Sequence, residues 1–538
     1  MKSFIKYISL TVAVLVGVTA CDVNRLPETS ISDATFWRSE ADLKSAANYL
    51  YTFLPGFNNE DVWSDDAVGL ASNSISDGSR LAPATDGNYN TPYSLIRAAN
   101  NIIEKAPKAT AAGQAAIDRY TAEARFFRAW AYFSLVQKYG DVPLILKTLD
   151  DTSPELTAPA TARAQIYEQI YQDLDFAAGK LPTPTALGSA DYGRISNTAA
   201  LAFKARVALF EGTRSKFHNY GNPNTHLSAA VAAAKAVMDS KQHDLFANYF
   251  NLFQYEGEGR QNRENIIVRQ YGVAVTDRVS THAYYRGTLE NGNLSPTKSL
   301  VDSYLMKDGL PISQSPLYKT PTTSLEVFAN RDERMGATIM KKGDSYMGTK
   351  PVFDIAPLVF NKTGFTFRKY SNLDDWVTQA SLMDRVILRY AEVLLTYAEA
   401  KFELEGQISD ADLNISVNLL RDRAKIARLS NAFVGANGLD MREELRRERR
   451  VELAQESFRY WDIIRWKTAE TELPKPVLGN YFFKDEFGTS VTVNLTADKY
   501  ILVQNASFRK FDPQRDYLWP LPINEISLNS NLKQNPKW

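Results

Sequence analysis

Catalysis would need a nucleophile with its base, a metal cage or a phosphate cradle, and the reactive residues of this chain fall short of each. The histidines are four: His218, His226, His243 and His282. His218 and His226 flank a Gly-Asn-Pro turn and could meet, but no third ligand stands beside them. Neither HExxH nor CxxC occurs, which argues against zinc. There is no GxSxG elbow for an activated serine. Gly343 and Gly348 are followed by Thr349-Lys350, the reverse of the Lys-Ser/Thr order that a phosphate loop requires, so this stretch reads as a turn. Asp86, Asn88 and Asn90 imitate the opening of a calcium loop, but Thr91 stands where Gly is needed and Arg97 where Glu is needed. With 62 acidic residues a glycosidase pair stays open, and no spacing points to one. No catalytic residue, metal or cofactor is therefore assigned.

The single cysteine, Cys21, carries more information. Lys2 and Lys6 precede an apolar stretch from Ile8 to Val18, and Val18-Thr19-Ala20 leads into Cys21. This is the order of a secretory signal with a small-residue cleavage site, and the stretch is about half of the ~20 residues that would span a bilayer. A signal ending in a lone cysteine resembles the lipobox of exported lipoproteins. The resemblance implies cleavage after residue 20, acylation of Cys21 and anchorage through its chains, since two chains already hold a protein stably on a membrane. The alternative is an ordinary secreted protein with a free thiol. Formal charge is zero, from 62 basic and 62 acidic residues, so nothing favours nucleic acid as a partner.

The elements that must position any site are mostly helical. Helical character is expected over Asp33–Tyr51, Tyr93–Ala106, Asp118–Tyr139, Thr161–Leu181, Asn197–Ser215, Leu227–Asp239, Asp384–Glu405, Ile408–Ala427 and Asp440–Thr468. In the second half of Asp118–Tyr139, Phe126, Trp130 and Phe133 share one face. Residues 55–92 read as a long loop and 245–372 as an irregular insert with short pieces such as Ile266–Val268. The tail from Pro474 holds strand-like runs at Ser490–Leu495 and Lys499–Val503. Paired helices with short turns predict a mainly α fold of tetratricopeptide-like hairpin repeats. Ala122-Glu-Ala-Arg-Phe126 echoes Ala398-Glu-Ala-Lys-Phe402. The division expected is 1–20 signal peptide, 21–244 N-terminal helical region, 245–372 insert and 373–538 C-terminal helical region with an extended tail. In Asp440–Trp466, Asp440 is placed to cap a helix and the Arg446–Arg450 run alternates with glutamates, which reads as a solvated, ion-paired face.

That segment resembles the C-terminal signature of the SusD/RagB family of outer-membrane nutrient-binding lipoproteins. Tyr120–Leu146 resembles the family's helix followed by Tyr-Gly-Asp-Val-Pro, Gly193–Gly212 its Ala-rich central helix, Leu388–Glu403 its later repeat helix, and Leu518–Pro536 its ending. The resemblance implies helical repeats forming a right-handed superhelix with loops and short strands on one side. It also implies a non-catalytic lipoprotein on the outer face of the outer membrane that captures oligosaccharides, in some relatives peptides, for a SusC-like TonB-dependent β-barrel transporter. Asp22-Val-Asn-Arg lacks an acidic export cluster, so a periplasmic face stays open.

A sugar presents apolar C–H faces and a rim of hydroxyls, so its site needs exposed rings beside polar side chains. Loop rings meet that requirement best. Trp63 lies near Asp66 and Arg80 in the long loop, Tyr89 closes it, and Asn101 follows in the next helix. Tyr271, Tyr284 and Tyr285 form a second group in the insert, and Trp376 follows Asp374 and Asp375. Trp130, Trp461 and Trp466 lie in strong helices and are expected in the core. A lipid-anchored glycan hydrolase and a scaffold that binds only protein are the competing readings.

Overall fold

The computed structural model describes residues 36–272, 281–378, 380–488 and 490–538. Cys21 and the signal segment lie outside them. The long helices are α1 (Glu40–Tyr51), α2 (Gly87–Lys105), α3 (Gln114–Tyr139), α4 (Arg163–Lys180), α5 (Asn197–His218), α6 (Pro223–Asp239), α7 (Tyr390–Glu405), α8 (Val417–Ala424), α9 (Met441–Glu452) and α10 (Arg459–Arg465). Neighbours pack in order, α2 on α3, α3 on α4, α5 on α6 and α6 on α7, with α7 also touching α5 and α9. This is the expected superhelical stack of hairpins. No helix among the described residues is long and apolar enough to cross a membrane.

Local chemistry sets the ends. Ser39 and Asp42 form a capping box at α1. Pro223 starts α6, where its missing N–H costs nothing. Gly406 closes α7 in the left-handed conformation. The Ala-rich face of α5 allows close approach: a Cβ on Gly212 would stand 2.9 Å from the Leu227 side chain of α6.

Among the described residues four two-stranded ribbons form, and all but one of them join segments distant in sequence. β1 (Ala67–Val68) pairs with β3 (Ser295–Pro296), fastening the long loop to the insert. β2 (Asn265–Arg269) pairs antiparallel with β6 (Arg385–Arg389), Val268 opposite Val386. β4 (Ser345–Met347) and β5 (Lys350–Val352) form a hairpin that turns at Gly348-Thr349, so Ser345–Met347, within the Gly343–Gly348 stretch read as a turn, is strand, and β7 (Val477–Tyr481) pairs with β8 (Tyr500–Gln504).

Several expectations change. Asp384–Glu405 divides into β6 and α7, and Ile408–Ala427 into Asp410–Asn414 and α8. Ser490–Leu495 contributes only a bridge from Leu495 to Ile501. The long helix read over Asp440–Thr468 breaks at 453–458, where Gln455 and Ser457 take positive φ. The cause is competition for carbonyls. Glu452 O, which a continuing helix needs as acceptor for residue 456, instead accepts from Arg389 Nη2 at 2.6 Å and Tyr249 Oη at 2.6 Å. Ala454 O accepts from Lys369 Nζ at 2.7 Å.

The charged face of α9 is not solvated either. Glu444, Glu448 and Glu452 are buried. Arg334 pairs with Asp332, Glu448 and Glu452 at 2.7, 2.6 and 2.8 Å. Arg389 pairs with Glu264, Glu452 and Glu456 at 2.8, 2.6 and 2.8 Å. Arg421 joins Glu444 and Glu448. Charges taken out of water must be paired, and these pairs link the insert, β6, α8 and α9 into one unit. Glu443 pairs with Arg446, and Glu444 with Arg447.

Candidate glycan-binding site

The two groups of residues picked from the sequence separate in the fold. In the long loop, Asp66 is buried and ion-paired with Arg450 at 2.6 Å. Its neighbour Asp65 bonds Arg450 and Arg459 at 2.8 Å each. Burial pushes the Asp65 carboxyl up, but the two guanidinium groups outweigh it and hold it well below the usual carboxylate range. These acids anchor the loop to α9 and α10, and Asp66, 1% exposed, is a structural ion-pair residue. Trp63 packs edge-on against Tyr460, Trp461 and Trp519, at 5.8, 6.4 and 5.2 Å between centroids. Arg80 lies over the Trp519 ring at 3.7 Å and pairs with Asp86 at 3.2 Å. Tyr89 is buried against Tyr93 and Tyr139. Asn101 is half-buried on α2; Asn100 beside it is buried, donating to Ile145 O and Lys147 O. Asp86 serves as the N-cap of α2, accepting from Asn88 N–H at 2.9 Å and Tyr139 Oη at 3.0 Å, so the calcium-like pattern is a helix start.

The insert group assembles around Phe57, a residue that no sequence pattern singles out. Phe57 stacks on Tyr284 with centroids 4.8 Å apart and lies 4.1 Å from the His282 ring and 5.9 Å from Tyr271. Tyr370 closes the cluster edge-on at 4.8 Å. Phe57, Tyr271, His282 and Tyr284 are all half-buried, while Tyr285, next in sequence, turns inward at 1% exposure. Tyr285 is therefore a packing residue. Polar groups surround the rings. Phe57 N–H donates to Tyr271 Oη at 3.3 Å, and Tyr271 N–H donates to Asp384 Oδ1 at 3.0 Å. Gln455 donates to Tyr284 Oη at 3.2 Å. His282 Nε2 stands 3.0 Å from Met383 O and its Nδ1 3.3 Å from Tyr284 N, which assigns the proton to Nε2; burial keeps its pKa low. Burial and then the neighbouring Glu258 push Asp384 up to about 7.

Trp376 forms a further ring station. Its indole covers Gly348 of the β4–β5 turn, where a Cβ would come within 2.5 Å, and the Arg286 guanidinium lies 5.0 Å from the ring centroid. Its Nε1 has no hydrogen-bond partner within the protein.

The histidines of α5 and α6 turn to different partners, His218 to Ile464 O at 2.9 Å and His226 to Tyr171 Oη at 2.7 Å. No group of three metal-ligating side chains occurs among the described residues. Trp466 is buried and bonds Glu399 at 2.6 Å, but Trp130 and Trp461 are only half-buried and face a cavity. Helical periodicity had marked them as inward-facing; it carries no signal for a gap between the rings it points inward.

This architecture and this sequence have clear relatives. A model of the SusD family matches residues 269–538, and a model described as "Starch-binding associating with outer membrane" matches residues 42–209. A SusD-like protein of Bacteroides ovatus is 26% identical over 90% of this chain and 85% of its own. SusD-like protein P38 of Formosa agariphila is 26% identical over 99% of both. A crystal structure of a SusD-like carbohydrate binding protein from Bacteroides fragilis superposes with a TM-score of 0.74 at 25% identity, covering 93% of this chain and all of that one. Family models covering both halves, with the hairpin stack and the order of the motifs, lead to one conclusion: the chain belongs to the SusD family.

Proposed function

We propose that this protein is a non-catalytic glycan-binding lipoprotein, anchored through Cys21 to the outer membrane with its body facing the exterior, which captures oligosaccharides and passes them to a SusC-like TonB-dependent β-barrel transporter. The observation that carries the binding role is the half-exposed group Phe57, Tyr271, His282 and Tyr284, drawn from the long loop and the insert. Rings presented this way offer apolar platforms while keeping polar handles, and a few placed polar groups beside apolar surface are the usual composition of a ligand site. Asp384 and Gln455 supply hydrogen-bonding groups beside them. Trp63, Arg80, Tyr89 and Asn101 lie outside this group, and the proposed platform is Phe57, Tyr271, Tyr284 and Trp376.

Affinity electrophoresis of the full chain in detergent, through gels containing candidate polysaccharides, tests the reading. Retardation on at least one glycan, weakened about tenfold or more in a Phe57→Ala/Tyr284→Ala double variant, is expected from losing two stacking rings. No retardation on any glycan would refute binding. The hydrolase reading has one foothold, a carboxyl near neutrality beside the rings. Release of sugar from the glycan that disappears in Asp384→Asn would overturn the non-catalytic assignment.

A further inference from the structure

A second place in the fold has the composition of a ligand site. A cavity of about 380 Å³ lies between α2, α3, α5, the start of β6 and the 449–465 segment, roofed by residues 53–60 of the long loop. Its size falls within the ~300–1,000 Å³ of small-molecule sites. Exposed Gly87 and Thr91, at the first turns of α2, border it and mark its opening to solvent. Phe203 stacks on Trp130 with centroids 4.6 Å apart, and Phe133, Phe210, Phe458 and Trp461 complete an aromatic wall.

Five cations line that wall; Lys138 and Arg385 have no counter-ion there, and Arg449 is only partly engaged by one. Lys138 of α3 is buried; its ammonium hydrogen-bonds only to Ser134 Oγ at 3.2 Å and lies 5.3 and 5.7 Å from the Trp461 and Trp519 ring centroids. Arg449 spends Nε on Asp462, while its Nη1, on a side chain 5% exposed, has no partner within the protein. Arg385 reaches only Gly56 O and Ser457 Oγ. The other two cations are matched, Arg206 by Glu392 and Arg465 by Glu399 and Asp462. Of the lining acids, Glu456 is held by Arg389 and Lys369, and Glu60 at the roof stays beyond ion-pair distance of Lys138. A buried donor left unpaired costs free energy that a ligand can restore, and burial accordingly lowers the Lys138 pKa.

We propose that this cavity binds a single-ring carboxylate, its ring held against Trp130 and Trp461 and its carboxylate received by Lys138 and Arg449 Nη1. This is a site separate from the Phe57 cluster. Only the choice of a uronic acid as the source of that carboxylate rests on the proposed glycan-binding function; an aromatic acid offers the same chemistry.

Calorimetry on the full chain in detergent micelles, with intrinsic tryptophan fluorescence as second readout, tests this with glucuronate against glucose and benzoate against benzyl alcohol. Saturable binding of one acid is expected, at least about tenfold tighter than its neutral partner and at least about tenfold weaker in Lys138→Met, as loss of a charged hydrogen bond implies. Glucuronate binding names the glycan source; benzoate binding alone keeps the site but names an aromatic acid, with retention on glycan gels deciding the surface function separately. Where Lys138→Met does not fold, Ser134→Leu fills the cavity from α3 without removing a charge and should abolish binding. Failure of both acids to saturate, equal binding of acid and neutral ring, or unchanged affinity in the folded Lys138→Met or Ser134→Leu protein overturns the proposal.

Discussion

Asp61 gives a prediction in which one atom's charge is read out as the stability of the whole protein. The residue is 3% exposed in the 3-10 turn at the base of the long loop, and one carboxyl oxygen accepts from Ser457 N–H at 3.3 Å. Burial, then the nearby charge of Asp66, raises its pKa from 3.8 to about 7, against the opposing pull of Arg385. A group whose pKa is raised on folding binds its proton more tightly in the native state, so its contribution is full below pH 3.8 and is lost as pH climbs towards 7. At 1.36 kcal/mol per unit, two units between pH 5 and pH 7 amount to about 2.7 kcal/mol. Asparagine mimics the neutral carboxyl and still accepts from Ser457. Urea unfolding of wild type and Asp61→Asn at pH 5, 6, 7 and 8 cancels, in the difference, the titration of every group that does not interact with Asp61. The variant should gain on wild type by about 2 to 3 kcal/mol from pH 5 to pH 8. A difference constant to within about 0.5 kcal/mol across that range would refute the argument.

Two further outcomes follow from packing and charge. Gly212→Val should lower stability by about 1–3 kcal/mol, because the new branches meet Leu227 where α5 and α6 touch; a midpoint in urea equal to wild type would mean that the helices separate freely. Arg389→Met leaves Glu264, Glu452 and Glu456 short of a shared partner, and should cost about 3–5 kcal/mol. Adding Glu452→Gln should return part of that loss, and strictly additive losses in the double variant would show that the two side chains do not act as a pair.

The local elements were legible where periodicity or a backbone-specific residue spoke alone. The helix carrying Phe126, Trp130 and Phe133, the Ala-rich helix α5 and the helix read over Leu227–Asp239 all appear within a few residues of where the sequence put them, and the short apolar piece Ile266–Val268 falls within β2. Elements failed where a distant group competed for a local bond. Nothing within Asp440–Thr468 announces a break after Glu452, because the donors that capture its carbonyls are Arg389, Tyr249 and Lys369, between 63 and 203 residues away.

The site divides the same way. The sequence pointed to aromatic residues in loops, but Tyr284 and Tyr285 are adjacent and identical in chemistry. Only the short helix from Tyr284 to Leu289 decides that one stacks on Phe57 at a half-open surface and the other enters the core. Asp65 and Asp66 look like ligands for hydroxyls until Arg450 and Arg459, nearly 400 positions later, claim them.

By itself the sequence determined the helical class and the family, because these rest on short-range pattern and on motifs in order. The tertiary structure alone decided which rings are open, which carboxylates are already neutralised, and that aromatic residues on α3, α5 and α10 face one another across a gap containing unpaired cations. The physical reason is that burial and charge pairing are properties of neighbours in space, and those neighbours are fixed only when all the helices are stacked.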